Sequence, residues 1–562
     1  MREPAMWKVI VCAIASLALS QSVFAAVLPG AGIQIQQIRP VPLPIEQKAV
    51  PEIRLQQDNS PTLPVSDEIK ILVKSLHLTG QALYSEVKLV AISGFSPGSE
   101  LTLPELRSMA TKIADHYHKN GYFVAQAYLP AQDILNGAVT ITVVEGHYGK
   151  ITLNNQTSLS DHLANNILAG LETGDTISIA PLESRLLLLA DLPGVVVTST
   201  LVPGDTSGAS DLIVSITPGQ RVTGEVDADN AGNRYTGEYR VGATVNLNNA
   251  AGLADVASLR LMTSGSGLYY VRASYQIQVA KATVGAAYSI MGYELGKEFE
   301  SLDANGTAQI ATLYGSYPLF RTRANNLYAG LAFDYRTFQD KVDATSTVID
   351  RKAYVLMPGI YGDFRDNFGG GGLSSYSLTL SLGNLDIETA AARSYDAATA
   401  QTNGQYSKLR YGAMRLQNLT ESITLFAALN GQFASKNLDV SEKMELGGMY
   451  AVRAYPVGEA YADQGYVLNL EARLLLPKVY TQMPGQMHLI GLVDTGTVTI
   501  NANPWTDENN SRTLSGAGGG FTWQDNNNFL LRAYYAFKLG SEEATSAPDR
   551  SGRFWIQVVK YF

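Results

Sequence analysis

The chain has 562 residues, a formal net charge of −9 and 17% charged residues, with 51 glycines, 30 tyrosines and one cysteine. Its length exceeds one ordinary globular domain, so several modules, or a small module set with one large barrel, are expected. The acidic balance and the lack of any basic cluster argue against nucleic acid as a partner, and so much Gly and Tyr with so little charge suits strands and turns better than helices.

Residues 1–25 read as a signal peptide. Arg2 and Lys8 supply the positive region, Val9 to Leu19 the apolar run, and Val23-Phe24-Ala25 a small-residue cleavage site. As a membrane anchor the run falls short of the ~20 apolar residues a spanning helix needs. Cys12 lies inside this leader without a lipoprotein motif around it. The mature chain is then cysteine-free, which excludes disulfides, a thiolate nucleophile and Cys-type metal sites. No later apolar run is long enough for a spanning helix, so a membrane crossing requires a closed barrel.

Residues 26–67 are rich in Pro and Gln and read as a linker that buries little surface. "GAGIQIQQIRP" near its start has the pattern of a short amphipathic segment.

Residues 68–147 and 148–218 repeat one β-α-α-β-β order. The first unit opens with a strand, "IKILVKSLHLTG", and a helix start at Ser85-Glu86-Val87. Thr102-Leu103-Pro104-Glu105 is a capping box with proline in the first turn. Leu106, Met109, Ile113 and Tyr117 continue at helical spacing and should line one buried face. "YFVAQAYLP" and "GAVTITVVEG" complete the unit as strands. The second unit runs "GKITLNN", "SDHLANNILAG", "APLESRLLLLADLPG", "GVVVTSTLVPG" and "DLIVSITPG". Such a pair is either purely structural or a peptide-binding module whose sheet edges capture an extended chain.

Residues 219–562 change character. About sixteen segments of roughly 9–14 residues alternate as strands do, the length a tilted membrane strand requires. Turns such as "NNAAG", "SGSG", "FGGGG" and "DNNN" separate them. The expected fold class is therefore a membrane β-barrel of about sixteen antiparallel strands preceded by two small α/β domains. A soluble sandwich is disfavoured by the leader, the strand number and the end of the chain. That end, "GRFWIQVVKYF", places Phe554, Ile556, Val558, Lys560 and the terminal Phe562 on one face. A closing strand with a terminal aromatic resembles the assembly signal of outer-membrane barrels.

The longest late connection, 444–466, contains a lone cation, Arg453, among small and aromatic residues. A loop this long is usually functional, and its Gly, Pro and Tyr content suits an ordered loop folded inward. In the next strand Asn469, Glu471 and Arg473 share one face, which must point into a wet lumen. In the strand after it Asp494 is the only charge, with Gly496 opening space on the same face. An isolated inward carboxylate wants a cation, and Arg453 can answer it with a two-pronged pair. In a hydrated lumen the pair is expected to stay modest, at ~1 kcal/mol or somewhat more. The alternative leaves Arg453 in solvent on an external loop.

This arrangement resembles the two-partner secretion transporters of the outer membrane, the TpsB type, in the hemolysin secretion/activation branch of the POTRA-plus-barrel superfamily. The likeness spans essentially the whole mature chain. It shows in "LTGQALYSEV" and "GYFVAQAYLPAQDILNGAVTITVVEG" of the first unit. The family's Val-Arg-Gly-Tyr loop motif stands here as Val452-Arg453-Ala454-Tyr455, and its Asp–Gly wall motif as Asp494-Thr495-Gly496. The resemblance implies that these motifs meet inside the barrel and that the N-terminal stretch contains a plug helix. Ala454 replaces the usual Gly, and it would be strained if that position required a positive φ.

The resemblance further implies a Gram-negative outer-membrane location with periplasmic POTRA domains. It implies a large exoprotein partner of the TpsA type: an adhesin, a hemolysin or a contact-dependent growth-inhibition toxin. Outer-membrane lipid and the barrel-assembly machinery would be the other partners. No GxxxxGK[ST] motif is present, so export would draw on folding outside the cell rather than on ATP. An assembly factor of the same superfamily would typically carry more than two POTRA units, and a porin would not need them. No cofactor, metal or catalytic set is expected. The six histidines form no ligand set, and the runs Gly369–Gly372 and Gly516–Gly520 open no helix as phosphate loops must.

Overall fold

The computed structural model describes residues 28–38, 53–55, 69–478 and 480–562. The expected signal peptide and most of 26–67 lie outside the described residues.

In the first small unit, helices Glu86–Ser93 and Leu103–Lys119 cover a sheet in which Ala138–Val144 lies between Ser75–Thr79 and Gln126–Tyr128. The capping box forms as read: the Thr102 N–H donates to the Glu105 carboxylate at 2.7 Å, and the Glu105 N–H to the Thr102 hydroxyl at 3.4 Å. Leu106, Met109, Ile113 and Tyr117 are all buried on one face. The single opening strand expected from the alternation is instead two. Lys70–Val73 pairs with Ser99–Thr102, while Ser75–Thr79 pairs with Ala138–Val144. The chain bends between them because the N–H groups of both Lys74 and Ser75 donate to the Gly137 carbonyl.

The second unit sets helices Asp161–Leu168 and Ile179–Ala190 on a sheet ordered Ile53–Leu55, Val195–Pro203, Ala209–Pro218, His147–Asn155. Its core is aliphatic, with Ile167, Leu182, Leu186, Leu212 and Val214 at 1% exposure or less. Each such side chain contributes about 1.5–3 kcal/mol. The edge strand comes from the N-terminal segment: Ile53–Leu55 runs parallel to Val195–Pro203, with Ile53 opposite Ser199.

Among the described residues sixteen antiparallel strands close a barrel, and the first, Val222–Asp229, pairs with the last, Gly552–Tyr561. The short turns lie at the end that carries the small units, and the long loops lie at the other. Strands Ala304–Arg321, Asn325–Val342 and Thr347–Asp366 run 18 to 20 residues, longer than expected. Alternation and pairing continue past the ~9–11 residues that suffice to cross a bilayer. Leucine, valine and aromatic side chains such as Val245, Leu259, Leu331, Leu378 and Phe554 are exposed on the outer wall, as a lipid-facing surface demands. In the last strand Phe554, Val558, Lys560 and Phe562 face outward, while Trp555, Gln557, Val559 and Tyr561 are buried.

The second unit is fastened to the barrel. Arg321, at the end of its strand, donates to both oxygens of Asp191 at 2.6 and 2.9 Å. Arg323 pairs with Glu183. The Ser160 N–H donates to the Gly252 carbonyl at 2.8 Å, and Ala254 joins the aliphatic core of the small unit.

Residues 31–36 correct the expectation that the N-terminal stretch buries little. Ala31–Gln36 forms helix α1, and Ala31 and Ile33 are 0% exposed. The helix lies inside the barrel against the strands Ala282–Glu294, Ala304–Arg321 and Asn325–Val342. The Ala31 N–H donates to Asp340 at 2.7 Å, the Thr236 hydroxyl to Gln34 at 2.9 Å, and Arg240 to the Gln37 carbonyl at 3.1 Å. The first and last of these bonds satisfy backbone end groups that a six-residue helix cannot satisfy itself.

Candidate functional site

The inward loop runs over residues 435–463, not 444–466. Residues 464–466 belong to the strand Gln464–Leu475, where Gln464 pairs with Thr499 and Tyr466 with Thr497. The loop folds as a distorted hairpin. Met444 and Ala462 exchange N–H···O=C bonds at 2.9 and 2.8 Å, and near the tip Gly448 N–H donates to the Tyr455 carbonyl at 3.1 Å. It bridges the lumen. At its base Glu442 pairs with Arg336 at 2.5 Å and Lys408 at 2.6 Å, on one part of the wall. Its tip reaches the strands Gln464–Leu475, Gln486–Thr499 and Gly552–Tyr561.

There Arg453 meets Asp494 as expected, and more closely than a solvated pair would. Arg453 is 4% exposed and Asp494 0%. The Arg453 Nε donates to Oδ2 of Asp494 at 2.8 Å and Nη2 to Oδ1 at 2.7 Å, a fork-to-fork pair. The Arg453 backbone N–H adds a third bond to Oδ2 at 3.1 Å. The pair is thus buried, and the expectation of ~1 kcal/mol does not apply to it. Removing one partner of such a pair typically costs about 3–5 kcal/mol.

The wall register explains why Asp494 is available. Asn469 lies directly opposite it on one neighbouring strand and Gly516 on the other. The Asn469 amide donates to Asp494 Oδ1 at 2.7 Å and to the Ala451 carbonyl at 2.8 Å, joining wall to loop. Glu471 takes the third arm of Arg453, Nη1, at 2.5 Å, and is held by Arg473 at 2.7 Å. Two cations and two carboxylates therefore balance. The Tyr534 ring lies 5.1 Å from the guanidinium carbon, and the Trp555 indole N–H donates to the Arg453 carbonyl at 2.6 Å.

The two motif glycine positions resolve physically. Ala454 is absent from the residues at positive φ, so its methyl is unstrained. Room for it comes from Gly516, where a Cβ would stand 2.5 Å from the Ala454 Cβ. Gly496 leaves space for Leu446, whose Cδ1 would be 2.6 Å from an added Cβ. Val452 and Tyr455 are fully buried among Leu446, Val467, Leu492, Leu514 and Trp555. Dispersion and ion pairing thus hold the same tip.

Sequence reasoning placed Glu471 in the lumen but missed it as a partner of Arg453. It also missed Glu442 and Glu459, which lie in irregular loop where no period marks a face. Between α1, the loop and the wall a cavity of about 560 Å³ remains, lined by Gln36, Thr379, Arg410, Lys443 and Glu445 among others. Among the described residues no three His, Cys, Asp or Glu side chains are grouped to hold a metal ion.

A closed sixteen-strand barrel whose lumen is spanned by an inward loop and a short helix, with two small α/β units at one mouth, is the architecture of a POTRA-plus-barrel membrane protein. Comparison with known proteins gives the branch. The model of the haemolysin secretion/activation protein family ShlB/FhaC/HecB matches residues 208–523, and that of the ShlB-type POTRA domain matches 71–146. The chain belongs to this family, and is an outer-membrane transporter of the two-partner secretion type with its POTRA units in the periplasm. It is similar to the heme/hemopexin transporter protein HuxB of Haemophilus influenzae, 29% identical over 554 residues with 97% of each chain covered. The outer membrane transporter CdiB of Dickeya dadantii is 26% identical over 367 residues, 63% of each chain. The solved structure of CdiB from Escherichia coli shares the fold with a TM-score of 0.67 at 19% identity, over 100% of this chain and 99% of that one.

Proposed function

We propose that the protein captures a large, unfolded exoprotein on its periplasmic POTRA units and passes it through the barrel lumen to the cell surface. The buried Arg453–Asp494 fork supports this most directly, because it closes the lumen with a contact that a moving loop can break and remake. The path opens when the tip leaves its seat and α1 leaves the lumen. Folding of the partner outside makes the transfer one-way without nucleotide hydrolysis. Val452, Ala454, Tyr455 and Gly496 shape the seat, and Asn469, Glu471 and Arg473 hold its charges. Phe562, outward-facing at the chain end, serves as the signal read by the barrel-assembly machinery before insertion into outer-membrane lipid, and residues 1–25 direct the chain to the periplasm. The likeness to a heme/hemopexin transporter makes an exoprotein that binds heme or hemopexin the first partner to test, ahead of an adhesin, a hemolysin or a growth-inhibition toxin.

The test is deletion and restoration of this gene in its own host. A large exoprotein should vanish from the medium and surface on deletion and return on restoration, with other outer-membrane barrels at normal levels. A general loss of those barrels would instead make the protein an assembly factor.

A further inference from the structure

Glu459 lies on the returning limb of the inward loop, six residues past Arg453, and is 0% exposed. Its carboxylate faces the last outer loop, residues 539–551, rather than the wall around Asp494. The backbone N–H groups of Thr545 and Ser546 each donate to Oε2 at 2.9 Å. The Thr545 hydroxyl donates to Oε1 at 2.7 Å and the Ser546 hydroxyl to Oε2 at 2.8 Å. Arg512, on the wall strand Ser511–Asp525, completes the set at 2.6 Å. Five donors thus converge on a group with about four lone-pair sites. Nothing in the lock at Asp494 requires them.

The same outer loop is fastened at other points. Tyr455, beside the lock, donates its hydroxyl to the Glu542 carbonyl at 3.0 Å. Lys538 donates to that carbonyl at 2.9 Å and to Asp549 at 2.5 Å. Arg512 also donates to the Glu543 carbonyl at 2.9 Å. The outer loop therefore meets the tip and is tied to the adjacent wall strands Ser511–Asp525 and Phe529–Lys538.

We propose that residues 539–551 form a clasp over the outer exit, and that Glu459 is the positioning residue that closes it. Arg453 and Asp494 hold the tip to the wall, while Glu459 holds the cover to the tip. An emerging chain must therefore break two independent charge-assisted contacts. The inference deepens the export reading and rests on it only in taking the lumen as the path.

The experiment uses purified full-length protein in planar lipid bilayers, and intact cells exposed to external protease. Glu459→Gln keeps the shape and loses the charge. The double variant Thr545→Val/Ser546→Ala keeps Glu459 and Arg512 and loses both hydroxyl donors. Opening events should rise at least about tenfold in Glu459→Gln, the factor for one charge-assisted hydrogen bond, because the amide NH2 can accept from none of the donors that meet the oxygen it replaces, and by a smaller factor in the double variant. Cleavage within 539–551 should quicken in the same order. Heat-modifiable gel mobility, which reports the folded barrel, should not change. If Glu459→Gln does not yield a folded barrel, the double variant decides. Openings and cleavage at wild-type levels in the folded variants would overturn the clasp. A clasp that opens as described in a protein whose deletion leaves export intact would keep this inference and sink the export reading.

Discussion

Arg453→Ala is expected to unseat the inward loop by about two orders of magnitude in the ratio of seated to free states. The two carboxylates around it are buried, and loss of their shared cation costs about 3 kcal/mol or more, or roughly a hundredfold at 1.4 kcal/mol per decade. Asp494 would keep the Asn469 amide, and Glu471 would keep Arg473, which holds the cost near the low end. Arg453→Lys should rescue poorly, because an ammonium is a point charge and cannot fill the fork on Asp494 while reaching Glu471. Channel openings and surface protease access to 444–462 report the change. An Arg453/Asp494 double-mutant cycle should show a coupling of about 2 kcal/mol, within the range for residues in direct contact. A loop that cannot be reseated leaves the path without its closed state while α1 still occupies the lumen, so export should fall while the barrel still assembles. Wild-type opening in Arg453→Ala would reduce the fork to ornament.

Deleting residues 69–145 should abolish export and leave an assembled barrel in the outer membrane. The first POTRA unit has its own closed core around Leu106, Ile113, Tyr117, Val139 and Ile141, separate from the aliphatic core of the second unit. Its ties to the second unit include the Ile179 N–H on the Gly121 carbonyl at 2.9 Å and the packing of Phe123 and Val124 against the second unit's core. The cut stops at 145 because His147 already pairs with Ala209 in the second unit. The second unit is a poorer target: it shares Ala254 with the barrel and holds Arg321 through Asp191, so its loss would disturb the barrel mouth. Export at normal levels without residues 69–145 would remove partner capture from the first unit.

Much of this molecule is legible in its sequence because β-barrels write themselves with a period of two. The alternation around Asn469, Glu471 and Arg473 assigns their face, and the isolation of Asp494 among apolar and small neighbours marks it as waiting for a cation. The capping box at Thr102 and the face from Leu106 to Tyr117 follow equally local rules. What escaped depends on distant partners. The bend at Lys74 is made by a carbonyl more than sixty residues away. Helix α1 shows in "GAGIQIQQIRP" only as a short amphipathic pattern, and its seat on Asp340, Thr236 and Arg240 was hidden. Glu459 and Glu442 sit in irregular loop, so only the folded arrangement shows what they face. The strength of the Arg453–Asp494 pair was also hidden, since burial by Val452, Tyr455 and the aromatic wall is a property of packing.

The account stands or falls on the lumen as the path. The most direct measurement places a photo-crosslinking residue at Thr379, which lines the lumen cavity, or at Leu378, its outward neighbour at 41% exposure. The exoprotein is stalled in transit by a tightly folded domain fused to its C-terminal end. The account predicts adducts with the partner from position 379 and none from 378. Adducts from 378 alone, or from neither while the partner still reaches the surface, would contradict it.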